Sequence, residues 1–133
     1  GLAGTDIVVL SMKPEGKSIL TEDDFRLSGG YMLTKDKNSN GILFTTVRKF
    51  KGLEAMAVIC VDIDSETFEN DRKRNIFYVG TSRAMSYLNL ITTASPEELA
   101  ATITGNDNYL KRPQAIKAIR DSLRVKIASE NDL

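Results

Sequence analysis

The stretch Met56-Ala-Val-Ile-Cys-Val-Asp-Ile63 decides the fold of this 133-residue chain. It is apolar at nearly every position, which is typical of a parallel strand that is covered on both faces. Two earlier apolar runs predict further strands, over Asp6–Leu10 and Ile42–Val47. A minor strand is predicted at Tyr31–Thr34, and a last strand at Leu90–Thr93. The chain therefore has the strands of a sheet distributed along most of its length.

Helices are predicted between and after these strands. A long helix is expected over residues 66–88, with one face made by residues at 4-3-4 spacing, namely Phe77, Thr81, Ala84 and Leu88. A second helix begins at Ser95, because a serine cap, a proline and two acids follow one another there, and it ends near Gly105. A last helix follows Pro113. This alternation predicts one three-layer α/β domain over residues 1–133, with a mostly parallel sheet.

Composition excludes several classes of site. The formal charge is zero, from 18 basic and 18 acidic residues, so any contact with nucleic acid must come from local patches. Cys60 is the single cysteine and histidine is absent, which excludes an internal disulfide and histidine-based catalysis or metal sites. These features favour a cytoplasmic setting. No apolar run approaches the roughly 20 residues that cross a bilayer, so no membrane partner is expected.

Residues Thr46–Glu54 form the first candidate site. Three of the four residues from Arg48 to Lys51 are basic, and they follow a predicted strand, where ligands gather in open α/β sheets. Gly52 permits a tight turn or a close approach to a ligand. Glu54 offers a carboxylate that can accept hydrogen bonds from ribose hydroxyls. The alternative is a charged surface turn that caps a helix.

Residues Asn75–Ala84 form the second candidate site, and Arg83 is its central residue. On the predicted helix its neighbours are apolar or aromatic: Ile76, Val79 and Tyr87. A guanidinium held against apolar surface needs an anionic partner, because an unpaired buried charge is costly. That anion is either a ligand or a local acid, for which Glu54 and Asp71 are the candidates.

The two segments resemble motifs V and VI of the UvrD/Rep-like superfamily 1 DNA helicases. Motif V is usually Thr-x-His-x-x-Lys-Gly-Leu-Glu, which Thr46–Glu54 matches except at Arg48, where the family has histidine. Motif VI is commonly Tyr-Val-Ala-Leu-Thr-Arg-Ala, which Tyr78–Ala84 resembles, with glycine and threonine in place of Ala-Leu and serine in place of threonine. The resemblance covers residues 42–93, with the motifs in the family's order. It implies the C-terminal part of a second RecA-like domain, a P-loop NTPase-like fold that lacks its own P-loop.

The resemblance also implies a role for each matching residue. Thr46 and Arg48 would contact single-stranded DNA, Gly52 and Glu54 would contact the nucleotide, and Arg83 would be an arginine finger on the γ-phosphate. The P-loop lysine and the acids for Mg²⁺ would belong to the N-terminal RecA-like domain of the same parent chain. ATP and Mg²⁺ are therefore expected in the full-length protein, and no cofactor is expected in this segment alone. The implied activity of the whole protein is ATP-driven translocation on DNA with unwinding.

The beginning of the chain also favours a piece of a longer protein, since it starts Gly-Leu-Ala-Gly rather than with methionine. Two other functions stay open. One is a non-enzymatic helicase-like binding or scaffold domain. The other is a small nucleotide-binding enzyme that uses Gly16–Ser18 as a P-loop. The second is disfavoured, because Ser11 stands where the pattern needs glycine and Pro14 removes an amide donor.

Two charged groups have weaker functional interpretations. Asp62, Asp64 and Glu66 alternate after a strand and can hold Mg²⁺, but a solvated strand end is the favoured interpretation, and no metal site is predicted. A basic stripe lies on the last predicted helix, at Lys117, Arg120 and Arg124. It can contact nucleic acid or be the solvated face of an amphipathic helix.

Overall fold

The protein, a computed structural model described for residues 3–105 and 111–124, is built on one five-stranded sheet. The strands are β1 (Ile7–Ser11), β2 (Leu33–Thr34), β3 (Ile42–Thr46), β4 (Ala55–Ile63) and β5 (Ala84–Thr92). The helices in the described residues are α1 (Asp71–Thr81), α2 (Pro96–Thr104) and α3 (Arg112–Leu123). The strand order is β2-β3-β1-β4-β5 and every pairing is parallel. The predicted α/β class with a parallel sheet is confirmed.

Two apolar clusters cover the two faces of the sheet, because side chains alternate along each strand. On one face α1, α2 and α3 pack against Val8 and Leu10 of β1 and Val58 and Cys60 of β4; we call this the helix-side cluster. The opposite face carries Val9 and Val61 and is covered by Leu20 and Phe25, from the connection between β1 and β2. In the described residues this third layer is irregular chain with 3₁₀ turns, where a three-layer domain led us to expect helices.

The predicted helix over residues 66–88 is wrong at both ends. Helix α1 begins later, where the Asn70 side chain accepts a hydrogen bond from the Lys73 amide at 2.9 Å. It ends at Thr81, and the chain then enters β5, in which Ala84 pairs with Ala55 and Leu88 pairs with Val58. The 4-3-4 spacing that crosses this boundary is accidental. Strand β4 exposes a row of backbone donors and acceptors, and pairing with it overrides the local helical pattern.

The second predicted helix is confirmed as α2 at both ends. The hydroxyl oxygen of Ser95 accepts a hydrogen bond from the Glu98 amide at 3.2 Å. Gly105 follows the helix with a left-handed φ of 67°, a conformation in which glycine carries no Cβ penalty. No helix in residues 3–105 or 111–124 is long and apolar enough to cross a membrane.

Gly80 lets α1 approach the sheet closely, and it gives a first testable prediction. A methyl group at this position would lie 2.9 Å from Met12 Cε and 2.9 Å from Val47 Cγ2. Overpacking of this kind costs about 1–3 kcal/mol, which exceeds the gain of at most about 1 kcal/mol from replacing glycine in a helix. We expect Gly80→Ala to destabilise the fold by about 1 kcal/mol in urea denaturation.

The Met12→Ala background is the control for this prediction. Removing the thioether relieves one of the two close contacts of the new methyl group, so Gly80→Ala should cost less there than in the original sequence. Stabilisation by Gly80→Ala in the original sequence would mean that α1 does not pack this closely.

Candidate functional site

Glu54 and Arg83 are neighbours at the amino edge of the sheet. Strand β4 starts at Ala55 and strand β5 starts at Ala84, and these two residues pair in register. The amide of Ala55 donates a hydrogen bond to the carbonyl of Arg83 at 3.0 Å. Residues 54 and 83 therefore immediately precede two paired strands, although they are far apart in sequence. We call these two residues the amino-edge site.

The side chain of Arg83 has no anionic partner among the described residues. It forms no ion pair there, and its Nε is buried without a hydrogen-bond acceptor. The local acid Asp71 lies instead 3.9 Å from Arg74. The alternative in which Arg83 pairs with Glu54 or Asp71 is thus wrong for this conformation. A buried guanidinium nitrogen without an acceptor is costly, so the position favours an anion supplied from outside the described chain.

The helical argument used for Arg83 also needs correction. Arg83 lies in the turn between α1 and β5, where its amide donates to the carbonyl of Gly80 at 3.2 Å. Tyr87 belongs to β5 and does not share a helical face with it. The turn is favoured by Ser82, whose hydroxyl donates to the carbonyl of Val79 at 2.7 Å.

Glu54 and Gly52 lie on the exposed connection that precedes β4. The Glu54 carboxylate is solvent-exposed and makes no hydrogen bond or ion pair within the described residues. Gly52 has a left-handed φ of 80°, which a residue with a side chain adopts only at a cost. A methyl group at Gly52 would meet nothing within 4 Å, so this glycine is required by the turn and not by packing inside the chain.

Thr46 and Arg48 lie at the other edge of the sheet. Thr46 ends β3, and its carbonyl accepts from the Phe50 amide at 3.1 Å, which closes a helical turn after the strand. Its hydroxyl oxygen also accepts from the Lys49 amide at 3.3 Å, so Thr46 caps that turn. The connection from residue 47 to residue 54 then crosses the helix-covered face, with Val47 and Phe50 buried in the helix-side cluster. One short, packed segment thus joins Thr46 at the carboxyl edge of the sheet to Glu54 at the amino edge.

A groove of about 840 Å³ opens at the carboxyl edge beside Thr46 and Arg48. The connection after β1, the start of α1 and the connection after β4 also line it. In the sheet order, the connections after β1 and β4 lead in opposite directions, which is where open α/β sheets bind ligands. We call this the carboxyl-edge groove.

Sequence reasoning missed the structural role of Asp62, whose carboxylate is buried at this edge. The hydroxyl of Ser11 donates to it at 2.5 Å, and the amide of Ile19 donates at 2.9 Å. Asp62 is only 4% exposed and has a left-handed φ of 63°, which is uncommon for a residue with a side chain. The favoured interpretation of a solvated strand end is wrong for Asp62. No local pattern could have revealed a partner 51 residues away.

The two other acids of that group pair with a lysine. The ammonium of Lys13 lies 2.7 Å from the carboxylate of Asp64 and 3.4 Å from that of Glu66. The hydrogen bond to Asp64 is the main reason that the pKa of Lys13 is raised above its usual value. In the part of the chain that the structure describes, no three acidic, cysteine or histidine side chains are grouped as metal ligands would be.

The segment Gly16–Ser18 does not have the geometry of a P-loop. The Lys17 amide donates to the carbonyl of Pro14 at 3.0 Å, and the next amide but one, that of Ile19, is used by Asp62. A short 3₁₀ turn at Glu22–Asp24 follows, where a P-loop would lead into a long helix. The glycine and lysine therefore belong to a surface turn.

Two of the three residues of the predicted basic stripe lie on α3, and the third lies just after its end. Lys117 and Arg120 are exposed on α3, while Arg124 follows its end with a left-handed φ of 55°. Neither Lys117 nor Arg120 lines the carboxyl-edge groove. These positions make Arg120 a suitable control for charge changes elsewhere.

Comparison with known proteins identifies the central segment. Residues 41–91 match the family model of the UvrD-like helicase C-terminal domain, a span that is under half of the chain and contains both motifs. No curated protein matches the chain. The matched span coincides within two residues with the 42–93 region on which the resemblance rested. The resemblance is therefore confirmed for residues 41–91, which are similar to the C-terminal domain of UvrD-like helicases.

Proposed function

We propose that this chain is the C-terminal part of the second motor domain of an ATP-dependent DNA helicase. The observation that carries the proposal is the amino-edge site, in which Glu54, with an exposed carboxylate, and Arg83, with a guanidinium that has no anion, precede two paired strands. A phosphorylated nucleotide offers both groups that these side chains lack. Its ribose hydroxyls can donate to Glu54, and its γ-phosphate can accept from Arg83.

In this proposal ATP lies in a cleft between the amino edge of this sheet and the N-terminal RecA-like domain of the parent chain. Glu54 holds the ribose, beside the turn that Gly52 makes possible. Arg83 contacts the γ-phosphate and stabilises the charge that develops as the phosphoryl group transfers. The P-loop lysine and the ligands of Mg²⁺ are supplied by the other domain, so each half alone is incomplete.

The crossing segment from residue 47 to residue 54 explains how the two ends of the site communicate. One end carries Glu54 and the other follows Thr46 and Arg48, which we propose contact single-stranded DNA. Because Val47 and Phe50 fix this segment in the helix-side cluster, a movement at the amino edge is transmitted to the carboxyl edge. Hydrolysis then changes the closure of the cleft and, with it, the hold on DNA.

The proposal is tested by joining the chain to its natural upstream segment. The fusion should hydrolyse ATP, and single-stranded DNA should stimulate it, while the isolated chain should show no hydrolysis in the same assay. A scaffold domain would leave ATPase activity absent in both proteins. ATPase activity in the isolated chain would also contradict the proposal, because the P-loop half is absent from it.

A further inference from the structure

The carboxyl-edge groove carries an uneven charge although the whole chain is neutral. Six basic side chains line it: Lys13, Lys17, Arg48, Lys49, Arg72 and Lys73. Four acidic side chains also line it, so six basic and four acidic groups give the lining a formal charge of +2. Each of the four carboxylates is held by a hydrogen bond or an ion pair. Asp62 is bonded to Ser11, and Asp64 and Glu66 are both paired with Lys13. Glu15 lies 2.6 Å from Lys49.

Pairing divides the six cations into two groups. Lys13 and Lys49 are neutralised by these acids, and Lys73 lies 3.1 Å from Glu69. The remaining three have no anionic partner within the described residues: Lys17, Arg48 and Arg72. These three exposed cations are therefore available to an external anion, at a groove whose lining is positive although the whole chain is neutral.

Arg72 is distinguished from its two basic neighbours on α1. Lys73 pairs with Glu69, and the Nε of Arg74 donates to the carbonyl of Phe68 at 2.9 Å. The Arg72 side chain alone of these three makes no ion pair or hydrogen bond in the described structure, and it lines the same groove as Arg48. Neither Arg72 nor Lys17 belongs to the two motifs, so the resemblance assigns them no role.

We propose that Arg72 and Lys17 bind backbone phosphates of the single nucleic-acid strand that Arg48 contacts, so that the strand lies along the carboxyl-edge groove. This inference rests on the proposed function, because it extends the DNA contact at Arg48 to two further residues. A strand is favoured over a compact anion, since the cations come from three separate segments and line an open groove of about 840 Å³. Glu15 acts against binding by holding the ammonium of Lys49.

The experiment measures fluorescence anisotropy of a labelled oligothymidine of about 16 nucleotides with the chain at low salt. Arg72→Gln and Lys17→Gln should each weaken binding by about two- to fivefold. Each should also lower the slope of log affinity against log salt by about 0.7, as expected for one lost phosphate contact. Glu15→Gln frees Lys49 and should tighten binding and raise the slope by a similar amount.

Matched variants separate a groove contact from a general charge effect. Arg120→Gln removes one charge outside the groove, and Lys73→Gln removes a charge that is already paired within it. Both should change affinity less than Arg72→Gln does. Thermal unfolding of each variant excludes a folding defect, which is not expected because Arg72 and Lys17 are exposed.

The outcomes also separate this inference from the proposed function. If Arg48→Gln weakens binding while Arg72→Gln and Lys17→Gln behave like Arg120→Gln, the DNA contact stands and the inference is wrong. If the unsubstituted chain shows no binding at low salt, the DNA contact itself is wrong and the inference fails with it.

Discussion

Arg83→Ala in the fusion with the upstream motor half should lower the kcat of DNA-stimulated ATP hydrolysis by about 10³–10⁵-fold, the range known for arginine fingers in GTPases. The effect is large because the guanidinium acts on charge that develops in the transition state. Ground-state binding of ATP uses many other contacts, so the KM for ATP should change far less.

Two further variants make this result specific. Arg83→Lys keeps the positive charge and most of the side-chain stem but loses the planar guanidinium that matches phosphate. Its kcat should therefore lie between that of the unsubstituted fusion and that of Arg83→Ala. Glu54→Ala should show the opposite kinetic pattern. It removes an acceptor for the ribose in both ground and transition states, so KM should rise by about tenfold or more with little change in kcat.

A kcat for Arg83→Ala within a few-fold of the original would exclude Arg83 from the transition state. Circular dichroism and urea denaturation of the variant are needed beside the kinetics, because the Arg83 side chain is partly buried. Arg120→Gln, an exposed charge change on α3, should leave both kinetic constants unchanged.

The strands were predictable where burial is continuous. Residues 56–61 are apolar at consecutive positions because β4 lies between β1 and β5 and is covered on both faces, and local composition records that burial directly. Strand β5 is an edge strand, and most of its side chains are exposed. Its residues follow no burial pattern of a strand, so the accidental helical spacing from Phe77 to Leu88 had nothing to oppose it.

The two candidate sites were predictable only as motifs. Sequence reasoning placed Glu54 before one strand but placed Arg83 within a helix. The hydrogen bond from the Ala55 amide to the Arg83 carbonyl depends on the β4–β5 pairing, which was not predicted. The charge of the carboxyl-edge groove could be predicted even less well from the sequence. Whether Arg72 or Lys73 is left without an anionic partner depends on which of the two side chains pairs with Glu69. A run of three consecutive basic residues does not show which one pairs.

Asp62→Ala should have the largest effect on stability that we predict, a loss of about 2–4 kcal/mol in the free energy of unfolding. The change leaves the Ser11 hydroxyl and the Ile19 amide without their acceptor at a buried position, and unsatisfied groups of this kind cost about 1–3 kcal/mol. It also puts alanine at a φ of 63°, which costs about a further 1 kcal/mol or more.

Asp62→Asn is the matched control, and we expect it to cost less than about 1 kcal/mol. Asparagine adopts left-handed backbone conformations more readily than most residues. Its carbonyl can still accept from the Ile19 amide, while its amino group can donate to the hydroxyl oxygen of Ser11. It also removes a buried charge that has no cationic partner among the described residues, which offsets part of any loss.

Labelling of the Cys60 thiol can measure these free energies of unfolding. Its side chain is fully buried in β4, and burial raises the pKa of its thiol to about 12, so the folded protein presents almost no thiolate to a labelling reagent. Labelling in a urea series therefore reports the unfolded fraction of each variant. Equal losses for Asp62→Ala and Asp62→Asn would mean that the negative charge itself stabilises the fold. Near-neutral Asp62→Ala would mean that the Ser11 and Ile19 hydrogen bonds do not hold the connection after β1 in place.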